Sequence, residues 1–368
     1  MSTRRVSRRI MVGNVPVGGG APVTVQSMLN VKTSDVEAAL GQIASLADAG
    51  AEILRLSVDT PADAEALRAI VAGSPLPLVA DIQFDWRSAL RALDAGAAAV
   101  RLNPGLFPSG GTELAEVAAA ILDHGAAVRV GANAGSIGEA AIRREMEKGL
   151  PRDEALARVL AEKTLEECEA LEKLGVRNIK AALKCSSVPV TVAANTVFAE
   201  RTDIPLHVGV TEAGTPRRGV IKSAAGIGAL LLKGIGDTIR VSLTGAPEEE
   251  VRAGIAILES CGLRSGAPEI VSCPTCGRTE IDLPELTCEV EKIVAKIKAS
   301  KVRIDLRKIA VMGCPVNGPG EARDADLGLA GTRHGQVVLF RRGETLGAFP
   351  QEEALERLRR LIIEKSEA

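Results

Sequence analysis

Ile53-Leu-Arg-Leu-Ser-Val58, Leu76-Pro-Leu-Val-Ala-Asp-Ile82 and Ala98-Ala-Val-Arg-Leu-Asn103 are three short apolar runs, each followed by a stretch with helical periodicity. Runs of this length with few polar interruptions read as strands buried on both faces, as in a parallel sheet. The same beat extends outward in both directions. Pro22-Val-Thr-Val-Gln-Ser-Met28 precedes a helix over 35–49, which Ser34 or Asp35 caps and Gly50 closes. Strands over 126–133, 178–185, 206–211 and 238–243 follow, with helices within 152–174, 190–199, 219–232 and 247–259 behind them; an insertion lies between the first of these strands and its helix. Eight strand-then-helix units predict a (β/α)8 barrel, TIM-like, entered through a short hairpin over 8–20. The rival is a doubly wound open sheet, but no Gly-x-Gly-x-x-Gly follows the first strand.

The periodicity stops in a Gly/Ser/Pro-containing segment over 261–268. The boundary is drawn there: residues 1–262 form the barrel and 263–368 a small α+β domain. In the tail, a strand ends at Cys273-Pro-Thr-Cys276, a helix spans about 286–299, and Ile309-Ala-Val-Met-Gly313 reads as a buried strand. Short strands near Leu327 and over 336–342 and a charged helix over 352–365 complete it.

Polar residues inside buried strands need a reason. Arg55 and Ser57, Arg101 and Asn103, Arg129 and Asn133, Lys180 and Lys184, and Arg240 and Ser242 share parity within their strands, so each pair faces one side. In a barrel that side is the axis, near the carboxyl-terminal mouth where chemistry is done. Asp81 and Glu212 join them from the third strand and just past the seventh. Cations converging on one hole repel each other unless an anion joins them, which points to a diphosphate or a similar polyanion. The competing reading, an internal ion pair for each arginine, is easy for one residue and hard for five strands at once. Lys184 has a second possible role as a Schiff-base lysine.

Cysteine placement points to a second centre. Cys273-Pro-Thr-Cys276 can grip one metal centre, and Cys314-Pro-Val-Asn-Gly-Pro-Gly-Glu321 sets a third thiol ahead of a rigid turn and a carboxylate after it. A zinc ribbon needs a second close pair, which is missing, so three thiolates plus one further ligand favour an iron–sulfur cluster. Glu321 and Cys288 compete for the fourth place, with Cys288 read as a packing residue; Cys168, Cys185 and Cys261 read as core or surface thiols.

Bulk properties narrow the function. With 45 Lys plus Arg against 47 Asp plus Glu, the net charge is −2, unlike a nucleic-acid or membrane-surface protein. One Trp, five Phe and no Tyr leave little for base stacking. The basic start, Met1-Ser-Thr-Arg-Arg-Val-Ser-Arg-Arg9, lacks the apolar core of a signal peptide, and no run approaches the roughly 20 apolar residues of a membrane span. Seven cysteines then read as thiols or ligands in a cytoplasmic protein.

In order along the chain stand the 22–28 run, Val79-Ala-Asp-Ile-Gln-Phe-Asp85, Arg101-Leu-Asn-Pro-Gly105, Arg129-Val-Gly-Ala-Asn-Ala-Gly-Ser136, Gly209-Val-Thr-Glu-Ala-Gly214, Gly234-Ile-Gly-Asp-Thr-Ile-Arg-Val-Ser242 and the two cysteine motifs. This set resembles the bacterial 4-hydroxy-3-methylbut-2-enyl diphosphate synthase family (IspG/GcpE) of the methylerythritol phosphate route to isoprenoids, over nearly the whole chain. The resemblance implies a [4Fe–4S] cluster on Cys273, Cys276, Cys314 and Glu321. It also implies the substrate 2-C-methyl-D-erythritol 2,4-cyclodiphosphate, whose ring is opened and dehydrated by two electrons from flavodoxin or ferredoxin. By motif position, Arg55, Asp81, Arg101, Asn103, Arg129, Asn133, Lys184 and Ser242 would bind substrate, with Glu212 catalytic at the reacting carbon and hydroxyl. A homodimer with each site shared between subunits is implied as well. The chain departs from the pattern at Gln83, where His is expected, and at Leu106, where Asn is usual. A glutamine hydrogen-bonds but does not titrate near neutral pH, which puts a proton-shuttling role at 83 in doubt and leaves the cluster and phosphate assignments untouched. The rivals are an aldolase or lyase barrel using Lys184 with a metal-binding appendage, and a metal-bearing sensor of a phosphorylated ligand.

Overall fold

The computed structural model describes residues 4–83, 85–102, 112–133, 137–265, 267–300, 302, 304–314, 324–332 and 334–364, with the backbone alone at 132–133. The chain separates into two compact units, Met1–Arg264 and Ser265–Ala368.

In the first unit a hairpin of β1 (Ile10–Val12) and β2 (Val15–Val17) leads into eight parallel strands. These are β3 (Thr24–Met28), β4 (Ile53–Ser57), β5 (Leu78–Asp81), β6 (Ala99–Leu102), β7 (Ala127–Asn133), β8 (Ile179–Lys184), β9 (His207–Val208) and β10 (Thr238–Ile239). Their order is β8-β7-β6-β5-β4-β3-β10-β9, and a parallel bridge from Ala181 to Leu206 joins the two ends into a barrel. The expected (β/α)8 architecture is therefore the observed one. Helices alternate with the strands and start where local chemistry says they should. Asp35 accepts from the Ala38 amide, and Thr60 and Asp63 form a reciprocal capping box ahead of Pro61–Gly73. The outward faces of the strands pack on these helices in one continuous core running from Val23 to Leu258.

Inside the barrel, composition changes with height. At the amino-terminal end, Ile53, Val79, Ala99 and Ala127 close against Ile10, Val12 and Val17, so the hairpin is an apolar plug. One layer up, Gln26, Lys180, His207 and Thr238 are all buried. Above them the interior becomes cationic.

One expectation needs correction here: the strands expected over 206–211 and 238–243 are only two residues long. The expected insertion after β7 is present and contains a helix, Glu139–Glu147.

The second unit is a five-stranded sheet of β11 (Glu269–Ser272), β12 (Lys308–Met312), β13 (Leu327–Gly331), β14 (Val337–Arg341) and β15 (Glu344–Phe349). The first three strands are parallel and the last two antiparallel. Strand β15 adds to the strands expected from the sequence. Helices Leu283–Ala299 and Gln351–Glu364 contribute Leu286, Val290, Leu358 and Ile362 to one core with Ile309, Val311, Leu329 and Leu339. Alternate residues of the same strands, Ala310, Met312 and Ala330, pack with Phe340 in a separate cluster. The unit is thus α+β with its own core.

Candidate active site and cysteine centre

Strand register brings the barrel's cations together. Arg55 lies beside Val79, Asp81 beside Arg101, Arg101 beside Arg129, and Arg129 beside Lys180, so the polar residues climb one inner surface. Asp81 is the hub. Its carboxylate accepts from Arg101 Nη1 at 3.2 Å and Gln83 Nε2 at 3.2 Å and stands 3.6 Å from Arg55 Nε. Burial pushes this carboxyl up, but Arg55, Arg101 and Arg129 outweigh it and leave Asp81 below the ordinary carboxylate value. Across the barrel, Arg240 pairs with Glu250 at 3.3 Å.

Among the described residues, three buried cations, Arg129, Lys184 and Lys180, have no such carboxylate anchor. Arg129 is 5 % exposed, and its Nε and Nη1 meet no hydrogen-bond partner among the described residues. Burial, then Arg55 and Arg101, push it well below the usual guanidinium range. Arginine keeps its proton in proteins, so this displacement is an electrostatic cost that a bound anion relieves. Burial, then Arg129, Arg240 and Arg55, push the buried Lys184 well below its normal value too. Below them Lys180, whose nearest partners are Gln26 Oε1 at 3.5 Å and Thr238 Oγ1 at 3.4 Å, is lowered by burial and Arg129 to about 7. His207, fully buried with both ring nitrogens unpartnered among the described residues, is kept neutral by burial and by Lys184.

At the mouth, a cavity of about 500 Å³ is lined by Cys185, Glu212, Arg240, Ser242 and Glu250, among others. Glu212 is exposed there and adopts a left-handed backbone with φ of 52°, uncommon outside glycine. Ser242 and Glu212 thus share one cavity, while Arg55, Asp81, Arg101, Arg129 and Lys184 line the strands. Asn103, Leu106 and Glu321 lie outside the described residues, as does the side chain of Asn133, whose backbone ends β7. Glu250, His207 and Gln26 were missed from sequence. Glu250 carried a signal: with Gly254, Ile257 and Leu258 it repeats at helical spacing on the buried face.

The depressed Lys184 is a group that imine chemistry would also use. Its neighbours are three guanidinium groups, however, which is the setting of an anion.

In the second unit, β11 ends just before Cys273 and the neighbouring β12 ends two residues before Cys314. The parallel pairing of Ser272 with Val311 therefore brings the two cysteine-bearing strand ends together. Cys273 Sγ accepts from the Gly313 amide at 3.3 Å, and the loop after Cys276 returns to the same point, Glu280 N donating to Gly313 O at 3.0 Å. The Cys276 thiol is held below its ordinary value by a hydrogen bond from the Arg278 backbone, and Cys314 is buried. All seven cysteines are free. Amide donors on sulfur and a lowered thiol suit a thiolate-bound cluster. Among the described residues no three His, Cys, Asp or Glu side chains could share a single metal ion; a four-iron cluster is wider and takes donors set further apart. Cys288, read from sequence as packing, is instead exposed on its helix, because its neighbours Leu286 and Val290 occupy the buried face.

Comparison with known proteins matches this division of the chain. The GcpE TIM-barrel domain model fits residues 7–255 and the GcpE protein C-terminal domain model fits 269–364. A 4-hydroxy-3-methylbut-2-en-1-yl diphosphate synthase (flavodoxin) of Geobacter sulfurreducens is 49 % identical over 96 % of each chain. Enzymes of the same description from Salinispora arenicola and Persephonella marina are 47 % and 46 % identical over 97 % of this chain, covering 88 % and 97 % of theirs. Among solved structures, a dihydropteroate synthase of Coxiella burnetii aligns at 13 % identity over 70 % of this chain and 98 % of its own, with a TM-score of 0.48, too distant to bear on function. With both domain models matched and identity approaching one half along nearly its whole length, the chain belongs to the GcpE family.

Proposed function

We propose that this chain performs the reaction for which its relatives are named, making 4-hydroxy-3-methylbut-2-en-1-yl diphosphate by reductive ring opening and dehydration of 2-C-methyl-D-erythritol 2,4-cyclodiphosphate. The conversion takes up two electrons and two protons and releases one water. One observation carries the reading beyond the family match: Arg55, Arg101, Arg129, Lys184 and Arg240 converge in the barrel with only Asp81 and Glu250 as buried carboxylate counter-ions among the described residues. A cyclic diphosphate supplies the missing negative charge, and the guanidinium forks of Arg129 and Arg101 are shaped to receive phosphate oxygens.

In this reading the arginines and Lys184 hold the diphosphate, Asn103, Asn133 and Ser242 add polar contacts, and Asp81 sets the tilt of Arg55 and Arg101. Glu212 lines the same cavity as Ser242 and would give a proton to the departing hydroxyl or stabilise charge at the reacting carbon. Cys273, Cys276 and Cys314, with Glu321, would hold a [4Fe–4S] cluster, which when bound supplies electrons one at a time. The donor is a flavodoxin, as the relatives' names state, or a ferredoxin. A cytoplasmic homodimer with sites shared between subunits belongs to the same proposal. The aldolase alternative is disfavoured by the relatives' named activity.

Anaerobic purification followed by iron and sulfide analysis tests the proposal. The expected result is about four of each per chain, with turnover of the cyclodiphosphate under a low-potential reductant. Zinc without sulfide, or imine trapping of Lys184 by borohydride with a carbonyl substrate, would refute it.

A further inference from the structure

Glu248, Glu249 and Glu250 open the helix Pro247–Ser260, where acidic residues ordinarily just favour the helix amino terminus. Two of them behave so: Glu248 accepts from Ser45 Oγ and Glu249 pairs with Arg252. Glu250 does something else. It is 5 % exposed and turns into the barrel mouth.

Its two oxygens serve three residues of two segments. They accept from Arg240 Nε and Nη2 at 3.3–3.5 Å, from the Leu243 amide at 2.9 Å, and from Ser27 Oγ of β3 at 3.3 Å. One residue beyond Leu243, the Thr244 amide donates to Gly214 O at 2.9 Å, tying this turn to the loop that carries Glu212. The join is tight. A Cβ on Gly219, at the start of the next helix, would meet Leu243 Cδ2 at 2.6 Å and Gly214 O at 2.9 Å.

We infer that Glu250 is a positioning residue for this site, fixing Arg240, the turn through Ser242 and the Glu212 loop as one wall of the cavity. The inference rests on the function proposed above. Glu250 touches no reacting atom in this account; it acts through Arg240 and the backbone. Its charge also restrains Arg240, sharing the guanidinium that would otherwise turn wholly toward the anion. A buried pair that loses one partner leaves the other charge uncompensated, and here the anion would take up that charge.

Glu250→Gln separates these effects. The amide keeps one acceptor for Leu243 N but presents N–H donors to Arg240. Values are compared per folded protein, with thermal unfolding reporting the folded fraction. Inorganic pyrophosphate, titrated calorimetrically into the full chain, is expected to bind at least about three-fold tighter to the variant, while kcat of the cluster-loaded enzyme falls about ten-fold. A merely structural glutamate would change the folded fraction and neither of these. Wild-type kcat, or pyrophosphate binding no tighter than wild type, overturns the inference. Should Glu250→Gln fold poorly, the double variant Arg240→Met/Glu250→Gln removes both charges and serves instead. It is expected to bind pyrophosphate no more tightly than wild type; binding tighter than wild type would show that Arg240 is not what Glu250 restrains. If instead the wild-type enzyme shows no turnover of the cyclodiphosphate, the proposed function fails, and the pyrophosphate comparison still reports on Glu250 alone.

Discussion

Glu212 holds a φ of 52° that non-glycine residues rarely adopt, in the lining of the cavity at the barrel mouth. Strain of that kind persists where surrounding structure enforces it, and it sits here on the residue proposed above to transfer a proton. Glu212→Gln keeps the shape and loses the titratable proton, so it should retain pyrophosphate binding and iron content and lose at least about 100-fold in kcat, a range typical of general acids. Unchanged turnover in a steady-state assay would remove Glu212 from the chemistry. Lys180 makes the opposite kind of claim, about stability. Burial and Arg129 lower it to about 7, against an unfolded value near 10.5. The unfolded chain therefore binds its proton more firmly than the folded one, and stability should rise with pH between about 7 and 10.5. The burden is greatest below pH 7. Lys180→Met should raise stability, and by about 2–3 kcal/mol more at pH 6.5 than at pH 9, at 1.36 kcal/mol per pH unit. Denaturant melts at the two pH values check this; a gain independent of pH would mean that the lysine is stably charged by an unseen partner.

Strands and helices show where a sequence speaks clearly and where it does not. Strands β4 to β6 and β8 were legible because each is an apolar run whose side-chain parity survives into the structure, Arg55, Arg101 and Lys184 all facing inward. Strands β9 and β10 were over-read. Their apolar runs continue past Val208 and Ile239, but the ladder stops where Gly209 lets Arg240 and Lys184 close in. A Cβ at 209 would lie 2.4 Å from Arg240 O and 3.1 Å from Lys184 Nζ. Hydrophobicity reports burial, not whether a buried segment stays hydrogen-bonded to its neighbour. The missed β15 fails the other way, since Glu344–Phe349 is an edge strand with an exposed, weakly apolar pattern. Glu250 stayed hidden because a run of three glutamates resembles a solvated helix start. The close approach at Gly209 is testable. Arg240 O is backbone and yields little, so Gly209→Ala should destabilise the barrel by about 1–3 kcal/mol and weaken pyrophosphate binding several-fold. Calorimetry alongside thermal melts would detect both, and wild-type affinity in a stable variant would show that the wall tolerates movement.

At the scale of the whole chain, a net charge of −2 conceals a strongly cationic interior in one unit and a thiol-rich strand end in the other. Each unit has its own apolar core, one spanning Val23 to Leu258 and the other Leu283 to Ile362. The change in periodicity over 261–268 was visible in sequence for this reason: two cores leave a stretch between them that neither needs to bury. Every described cation of the proposed anion site, and the buried Asp81 and Glu250 that pair with Arg55, Arg101 and Arg240, belong to the first unit. The three cysteines proposed as ligands belong to the second. Binding and reduction should therefore separate when the chain is shortened. A chain ending at Arg264 keeps the complete barrel core and the apolar hairpin plug. It should fold cooperatively and bind inorganic pyrophosphate within about three-fold of the full chain, a difference below 1 kcal/mol. It should contain no iron and turn over no cyclodiphosphate. Circular dichroism melts, calorimetric titration and iron analysis give the three readouts. Loss of pyrophosphate binding in a well-folded barrel would mean that residues beyond 264 complete the anion site, and the cations of the barrel would then be too few to account for it.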